Sequence, residues 1–435
     1  MRKIMCFAII FMMFFSVVLA HAAETEGDFR GIHWKFEKGI LSFTGSGVVD
    51  GEGPWTAYKR NAKTLSFSGE DLHVYASFSG YKNVSTVILG KGVVYTGMYV
   101  FRDMGKKLKL AVESNDYIWD CESYDTATIA KIELGEGVDN YVIDDCFVLN
   151  KEKDRLLMFY GKKKDKLIIP ETVKYLSKSV LAEKEMKELI LPQGLEVIED
   201  DALCYCPNLQ KLTIPASVQK IGSFVFAGCK KLKELYFINT NVEWSTNESP
   251  DHWHELNSIT DLFIPNYGDL SEISIYNCKN LYTIVISEGN TKMAGYNGII
   301  GLDPCAIFIP KSMKEIAVRN IPYSTGVKLY VYLGSYGQKF AEDNDYNYVI
   351  VNPIKRVILS HDSIEMREKK TITLTAEIEP KDATSKKVQW ISTNEQVATV
   401  QEGKVKAIGE GECDIICRGF DCGGVTAVCH VIVTK

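Results

Sequence analysis

A mainly β chain, a solenoid of stacked coils followed by a β-sandwich, is what two patterns in this sequence predict. An apolar-x-apolar element, often closed by Pro, recurs about every 22 to 24 residues through most of the chain. Past residue 353 that period gives way to short alternating runs separated by turn residues. Composition agrees, since 435 residues at 46% hydrophobic and 24% charged fold, yet exceed one ordinary core.

The first 22 residues stand apart. Met1-Arg2-Lys3, an apolar run from Ile4 to Leu19, and Ala20-His21-Ala22 have the three parts of a secretory signal peptide cut after Ala22. Cys6 lies inside the apolar run, away from the cut, so lipid anchoring through it is not expected. Cleavage removes Arg2 and Lys3, which takes the net charge from −6 to −8. The remainder has no transmembrane segment and no basic run suited to nucleic acid. The product is expected outside the cell or on its surface.

Residues 23–340 carry the period. Aligned positions are Phe43, Phe67, Leu89, Ala111, Leu134, Ile169, Leu191, Ile214, Phe237, Ile264, Ile286, Ile309 and Val331. Ten of the twelve steps are 22 to 24 residues; the other two are 35, a polar insertion expected as a loop or hairpin, and 27. In the best-formed unit Leu212 and Ile214 alternate as a half-buried strand, and Pro215 withholds an N–H and ends it. About eight apolar side chains per unit, each giving roughly 1.5–3 kcal/mol, cannot offset ordering of a whole coil at about 1–2 kcal/mol per residue. Coils must therefore stack to fold.

The unit Ile214-Pro215-x-x-Val218-x-x-Ile221-Gly222-x-x-Val225-Phe226-x-x-Cys229-x-x-Leu232 resembles the BspA-like (Treponema pallidum type) leucine-rich repeat. The entry Gly39 to Gly47 with Pro54-Trp55 is similar to the first coil of such proteins, while the repeats before residue 130 lack the Pro and the Cys. Cys206, Cys229 and Cys278 fall at one place in their coils, each followed three residues on by a Leu, and read as a buried structural ladder.

Tyr336 to Pro353 reads as the closing coil and a linker, the linker at 341–353, and 354–435 reads as the sandwich, with Trp390 as its core plug. The segments Glu379-Pro380, Trp390-x-Ser392-x-Asn394, Val397 to Val400 and Gly403 to Gly411 look like the bacterial Ig-like group 2 family. Cys413, Cys417 and Cys429 share inward parity, so a cross-strand disulfide pairs Cys413 with Cys429, or Cys417 with Cys429, or all are free thiols. Cys422 sits in a turn and is expected to be exposed.

No catalytic, cofactor-binding or metal-ligating set emerges. His252 and His254 lack a third ligand at a recognisable spacing, and Asp144-Asp145 and Asp200-Asp201 sit in turns. The middle residues of successive strands, Ile190, Thr213, Tyr236, Phe263, Val285, Phe308 and Tyr330, form an apolar row on the outer face. Either this strip meets a partner or other parts of the chain cover it. The resemblance implies a binding protein of the adhesin type, not an enzyme, whose partner is a protein or cell-surface ligand such as a host matrix protein. The alternatives are an envelope enzyme acting on glycans with these modules as carriers, and a passive structural component.

Overall fold

In the computed structural model, the described residues are 24–435 apart from 76–77, 97–99, 102–103, 105–106, 120–128, 161–163, 246–252, 272, 295–297, 301, 303–304 and 324–325. The signal peptide expected at 1–22 lies outside them. The chain divides into two compact units, residues 1–139 and 140–435, so the repeat array is shared between them.

The first unit is built on an eight-stranded sheet. Glu26–Phe29, Ile32–Glu37 and Ile40–Val49 run as an antiparallel meander. From Ile40–Val49 onward, Thr64–Val74, Thr86–Leu89, Leu108–Val112 and Ile129–Leu134 add in parallel, one per coil. Phe43, Phe67 and Leu89 fall on one rung line, and the line continues through Val112 to Leu134. The expected Ala111 is thus one residue out: it pairs with Ile88 and Glu133 and points away from the core, whereas Val112 is fully buried. These coils lack the Pro that ends later strands, and two of them meet instead through glycines inside the strands. Gly69 has a φ of 156°, and a Cβ there would lie 1.7 Å from the Gly45 carbonyl oxygen, so the backbones approach as only glycine allows.

The second unit winds as parallel coils with a strand ladder on one side and a row of two-residue strands on the other. Lys166–Ile168, Glu188–Ile190, Lys211–Ile214 and Glu234–Phe237 form the first part of the ladder. Asp261–Ile264, Thr283–Ile286, Cys305–Phe308, Val327–Val331 and Tyr348–Ile350 form the second. The two parts are separate sheets, and the break falls at the step of 27 residues. Tyr175–Leu176, Val197–Ile198, Lys220–Ile221 and Glu243–Trp244 make the short-strand row. The insertion at the step of 35 contributes an antiparallel hairpin, Phe147–Asn150 with Arg155–Phe159, which pairs onto that row.

The stretch expected as a linker is mostly part of the stack. Tyr336–Asp343 is a helix whose N-cap Ser335 accepts a hydrogen bond from the Gln338 N–H (3.2 Å), and Tyr348–Ile350 adds to the strand ladder beside Val327–Val331. Tyr346 and Val351 are buried, Val351 in one apolar cluster with Phe263, Val285 and Phe308, so the connection to the sandwich is short.

Residues 354–435 form the sandwich. Ser363–Arg367, Thr426–Thr434, Gly411–Gly419 and Val388–Ser392 make one sheet; Thr371–Thr373, Lys404–Ala407 and Ala398–Gln401 another; and Arg356–Leu359 pairs with Ala376–Glu379. Ala398, Val405, Ile415, Cys417, Cys429 and Val431 are fully buried between them. Trp390 is not the plug. It packs against the core partly buried, with its indole close beside Gly403.

Candidate functional site

The strip predicted on the outer face exists as a row. Thr213 pairs with Tyr236, and Phe263, Val285, Phe308 and Tyr330 follow one another in direct register. It is not an open surface. Phe263 is 3% exposed, Val285 0%, Phe308 6% and Ile190 9%, while Thr213, Tyr236 and Tyr330 are half-buried. The cover comes from the same chain. Phe420 and Cys422 of the sandwich join Phe263, Val285, Phe308, Tyr332 and Val351 in one apolar cluster, with Tyr330 against it.

Cys422 is therefore 1% exposed, against the exposure its turn position predicts, because the turn Asp421 to Gly424 is pressed onto the ladder. Its carbonyl accepts the Glu288 N–H at 3.0 Å. Asp421, also buried, is held by the Ile354 N–H (2.8 Å) and the Gly424 N–H (3.2 Å); burial raises its carboxyl above the ordinary value against those bonds.

A polar rim surrounds the apolar contact. Lys387 reaches Asp261 at 2.5 Å, Lys211 reaches Glu395 at 2.7 Å, and the Gln396 amide donates to Glu171 at 2.9 Å. Burial pushes the Asp261 carboxyl up, but the Lys387 ammonium and the Thr260 hydroxyl outweigh it, and the group sits below its usual range. Arg418, 3% exposed, lies over the Phe263 ring with its guanidinium carbon 5.4 Å from the centroid. It donates to the Phe237 carbonyl at 2.7 Å and the Ile238 carbonyl at 3.0 Å. Burial lowers its pKa to about 10, which leaves it charged at neutral pH. Sequence reasoning missed this contact, since Arg418 in an alternating run looks like any outward residue of a strand.

The three ladder cysteines are buried at one place in their coils. Each Sγ donates to a backbone carbonyl of the preceding coil: Cys206 to Leu181 (3.1 Å), Cys229 to Leu203 (3.3 Å) and Cys278 to Trp253 (3.1 Å). In the sandwich Cys413 stands opposite Val431, and Cys429 opposite Ile415. Cys413 and Cys429 are thus diagonal neighbours, a relation that places side chains roughly 7–8 Å apart, and both are free thiols. Cys417, opposite Ala427, is diagonal to Cys429 in the same way.

The remaining chemical candidates do not converge. His252 lies outside the described residues, and His254 is buried with its ring stacked on Tyr276 at 5.2 Å. Asp200 accepts the Ser223 N–H at 2.7 Å, and Asp145 pairs with Lys164 at 2.7 Å. Among the described residues no group of three His, Cys, Asp or Glu could hold a metal ion. The short-strand row carries an open cleft of about 380 Å³, with Lys178, Glu199, Asp200, Lys220, Glu243 and Trp244 around it.

Comparison with known proteins agrees with the architecture. Residues 157–249 match the BspA type leucine rich repeat region in six copies, and residues 353–417 match the bacterial Ig-like domain of group 2. The chain carries BspA-type leucine-rich repeats followed by a group 2 Ig-like domain. The parallel coils run on past the matched repeats to Tyr348–Ile350, and the Ig-like sandwich takes in Thr426–Thr434 beyond its match. An uncharacterized protein of Clostridium acetobutylicum is 33% identical over 126 residues, 29% of this chain and 12% of that protein. The match therefore spans only about an eighth of that relative's length. Among solved structures, a leucine-rich repeat protein of Eubacterium ventriosum is similar at 18% identity and a TM-score of 0.38, covering 69% of this chain and 90% of that one. The pneumococcal vaccine antigen PcpA is similar at 13% identity and 0.40, covering 75% and 98%. A leucine-rich repeat protein of Bacteroides ovatus is similar at 14% and 0.34, covering 78% and 94%. No helix among the described residues is long and apolar enough to cross a membrane.

Proposed function

We propose that this protein is exported and works by recognition, its leucine-rich repeat stack meeting a protein ligand on a cell or matrix surface. The observation that carries the reading is that the stack offers two faces and the Ig-like domain fills one of them, leaving the short-strand row to solvent. That row is built for polar contact: Lys174 pairs with Glu196 and Lys220 with Glu243, each at 3.0 Å, and the second pair lines a cleft of mixed charge. Its ligand would carry both signs of charge, and the pairs would exchange partners on binding. The part of the strip from Phe263 to Tyr330 keeps its recognition role in a narrower sense, as a seat of the chain's own Ig-like domain.

Fractionated cells probed for the chain, followed by binding to immobilised matrix proteins and a glycan panel, test the reading. Retention on a protein surface, reduced at least tenfold by Lys220→Glu with Glu243→Lys, is the expected result. Recovery of the chain only from the cytoplasm contradicts export, and binding unaffected by the double substitution contradicts the face.

A further inference from the structure

The strand ladder of the second unit loses one rung, between Glu234–Phe237 and Asp261–Ile264. Rungs that do not close on Pro show one bond that an intact ladder can add at this place. The Ile214 carbonyl accepts the Ile238 N–H at 3.1 Å, and the Ile264 carbonyl accepts the Ser287 N–H at 3.0 Å, in each case from the residue just past the next strand. At the break that residue is Pro265, which has no N–H to give; Pro192, Pro215 and Pro310 hold the same place in coils whose strands still pair, so what sets the break apart is that Glu234–Phe237 and Asp261–Ile264 lie in separate sheets. The Phe237 carbonyl, at the edge of the first sheet, would face the buried contact with the Ig-like domain unpaired.

Arg418 stands at this point. Its guanidinium donates to the Phe237 and Ile238 carbonyls from one side and lies over Phe263, the middle residue of the first strand beyond the break, on the other. Lys387 fixes that strand through Asp261, while Glu395 fixes the strand Lys211–Ile214 before the break through Lys211. The connection is held too: the Asn352 N–H donates to the Thr384 hydroxyl at 2.7 Å, and the Thr384 N–H returns to the Asn352 carbonyl at 2.9 Å.

We infer that the Ig-like domain is a fixed clamp across a discontinuity in the repeat stack, with Arg418 replacing the hydrogen bonds of the absent rung. The domain is then a part of the solenoid's own fold, whatever ligand the molecule binds, and neither a spacer nor a second free binding unit. A buried cation on two carbonyls suits this place because charge-assisted bonds are the stronger kind and a planar fork reaches two acceptors at once.

Hydrogen exchange on the intact chain tests the clamp. In Arg418→Met, peptides spanning 234–240, 261–264 and 418–424 should speed up together, by tenfold or more, while those from Thr426–Thr434 and from Tyr175–Leu176 keep their rates. Acceleration confined to 418–424, or none, overturns the proposal. Should Arg418→Met not fold, Lys387→Glu at the rim serves instead. It should release the same three segments, and adding Asp261→Lys should restore them; a Lys387→Glu chain whose 234–240 and 261–264 peptides keep full protection also overturns it.

Discussion

The buried thiols show at the residue scale how position in a coil decides chemistry. Cys206, Cys229 and Cys278 are small enough for a column between coils and give their weak donor to a backbone carbonyl of the preceding coil. Burial pushes the Cys278 thiol up to about 11, so almost no thiolate is present at pH 8. Alkylation of the folded chain at pH 8 should leave these three cysteines unmodified over hours, and modification within minutes would contradict the ladder. Asn290, 0% exposed, plays a related part, its amide donating to the Pro265 carbonyl at 3.1 Å and the Ser287 carbonyl at 3.0 Å. Asn290→Ala should cost about 1–3 kcal/mol in denaturant unfolding by leaving both acceptors unpaired.

Among elements, the legible part of the sequence was the part with a strict period. Leu191, Ile214, Phe237, Ile264, Ile286, Ile309 and Val331 could be aligned because Pro or a matching apolar triplet marks each strand end. In the first unit that mark is missing, and counting alone put Ala111 where Val112 belongs; the pairing of Leu89 with Val112 and of Val112 with Leu134 gives the register there. The corrected alignment makes a simple contrast. Phe67→Ala should destabilise the first unit by about 3–5 kcal/mol, whereas Ala111→Ser should change it by less than about 0.5 kcal/mol. Equal losses would show that the core line runs elsewhere.

The cover over the strip was not legible, since it joins residues far apart in sequence and turns on side chains such as Arg418 and Cys422 that carry no pattern. Periodicity finds what packs within a coil and its neighbours; it is silent about which face another domain will take. A run of aromatic residues on an outer strand face was the one sign, and it left open whether the cover was another molecule or the chain itself.

For the whole molecule, the consequence is that repeats and Ig-like domain depend on each other. The Lys387 and Asp261 pair at the rim should add about 0.2–1 kcal/mol to their docking. Because the Asp261 carboxyl is held below its unfolded value of about 3.9, this contribution is present at neutral pH and down to roughly pH 4, then is lost as the pH falls through the folded value. A double-mutant cycle on the pair should thus give coupling at pH 7 and none well below pH 4, while coupling that grew on acidification would contradict the assignment.

The most direct measurement is hydroxyl-radical footprinting of the intact chain. Tyr323, 73% exposed, and Tyr282, 51% exposed, should be oxidised rapidly, with Phe263, Phe308 and Phe420 protected many-fold more. Oxidation of Phe263 and Phe308 as fast as Tyr323 would mean that the outer strand face is open and that the Ig-like domain does not lie on it.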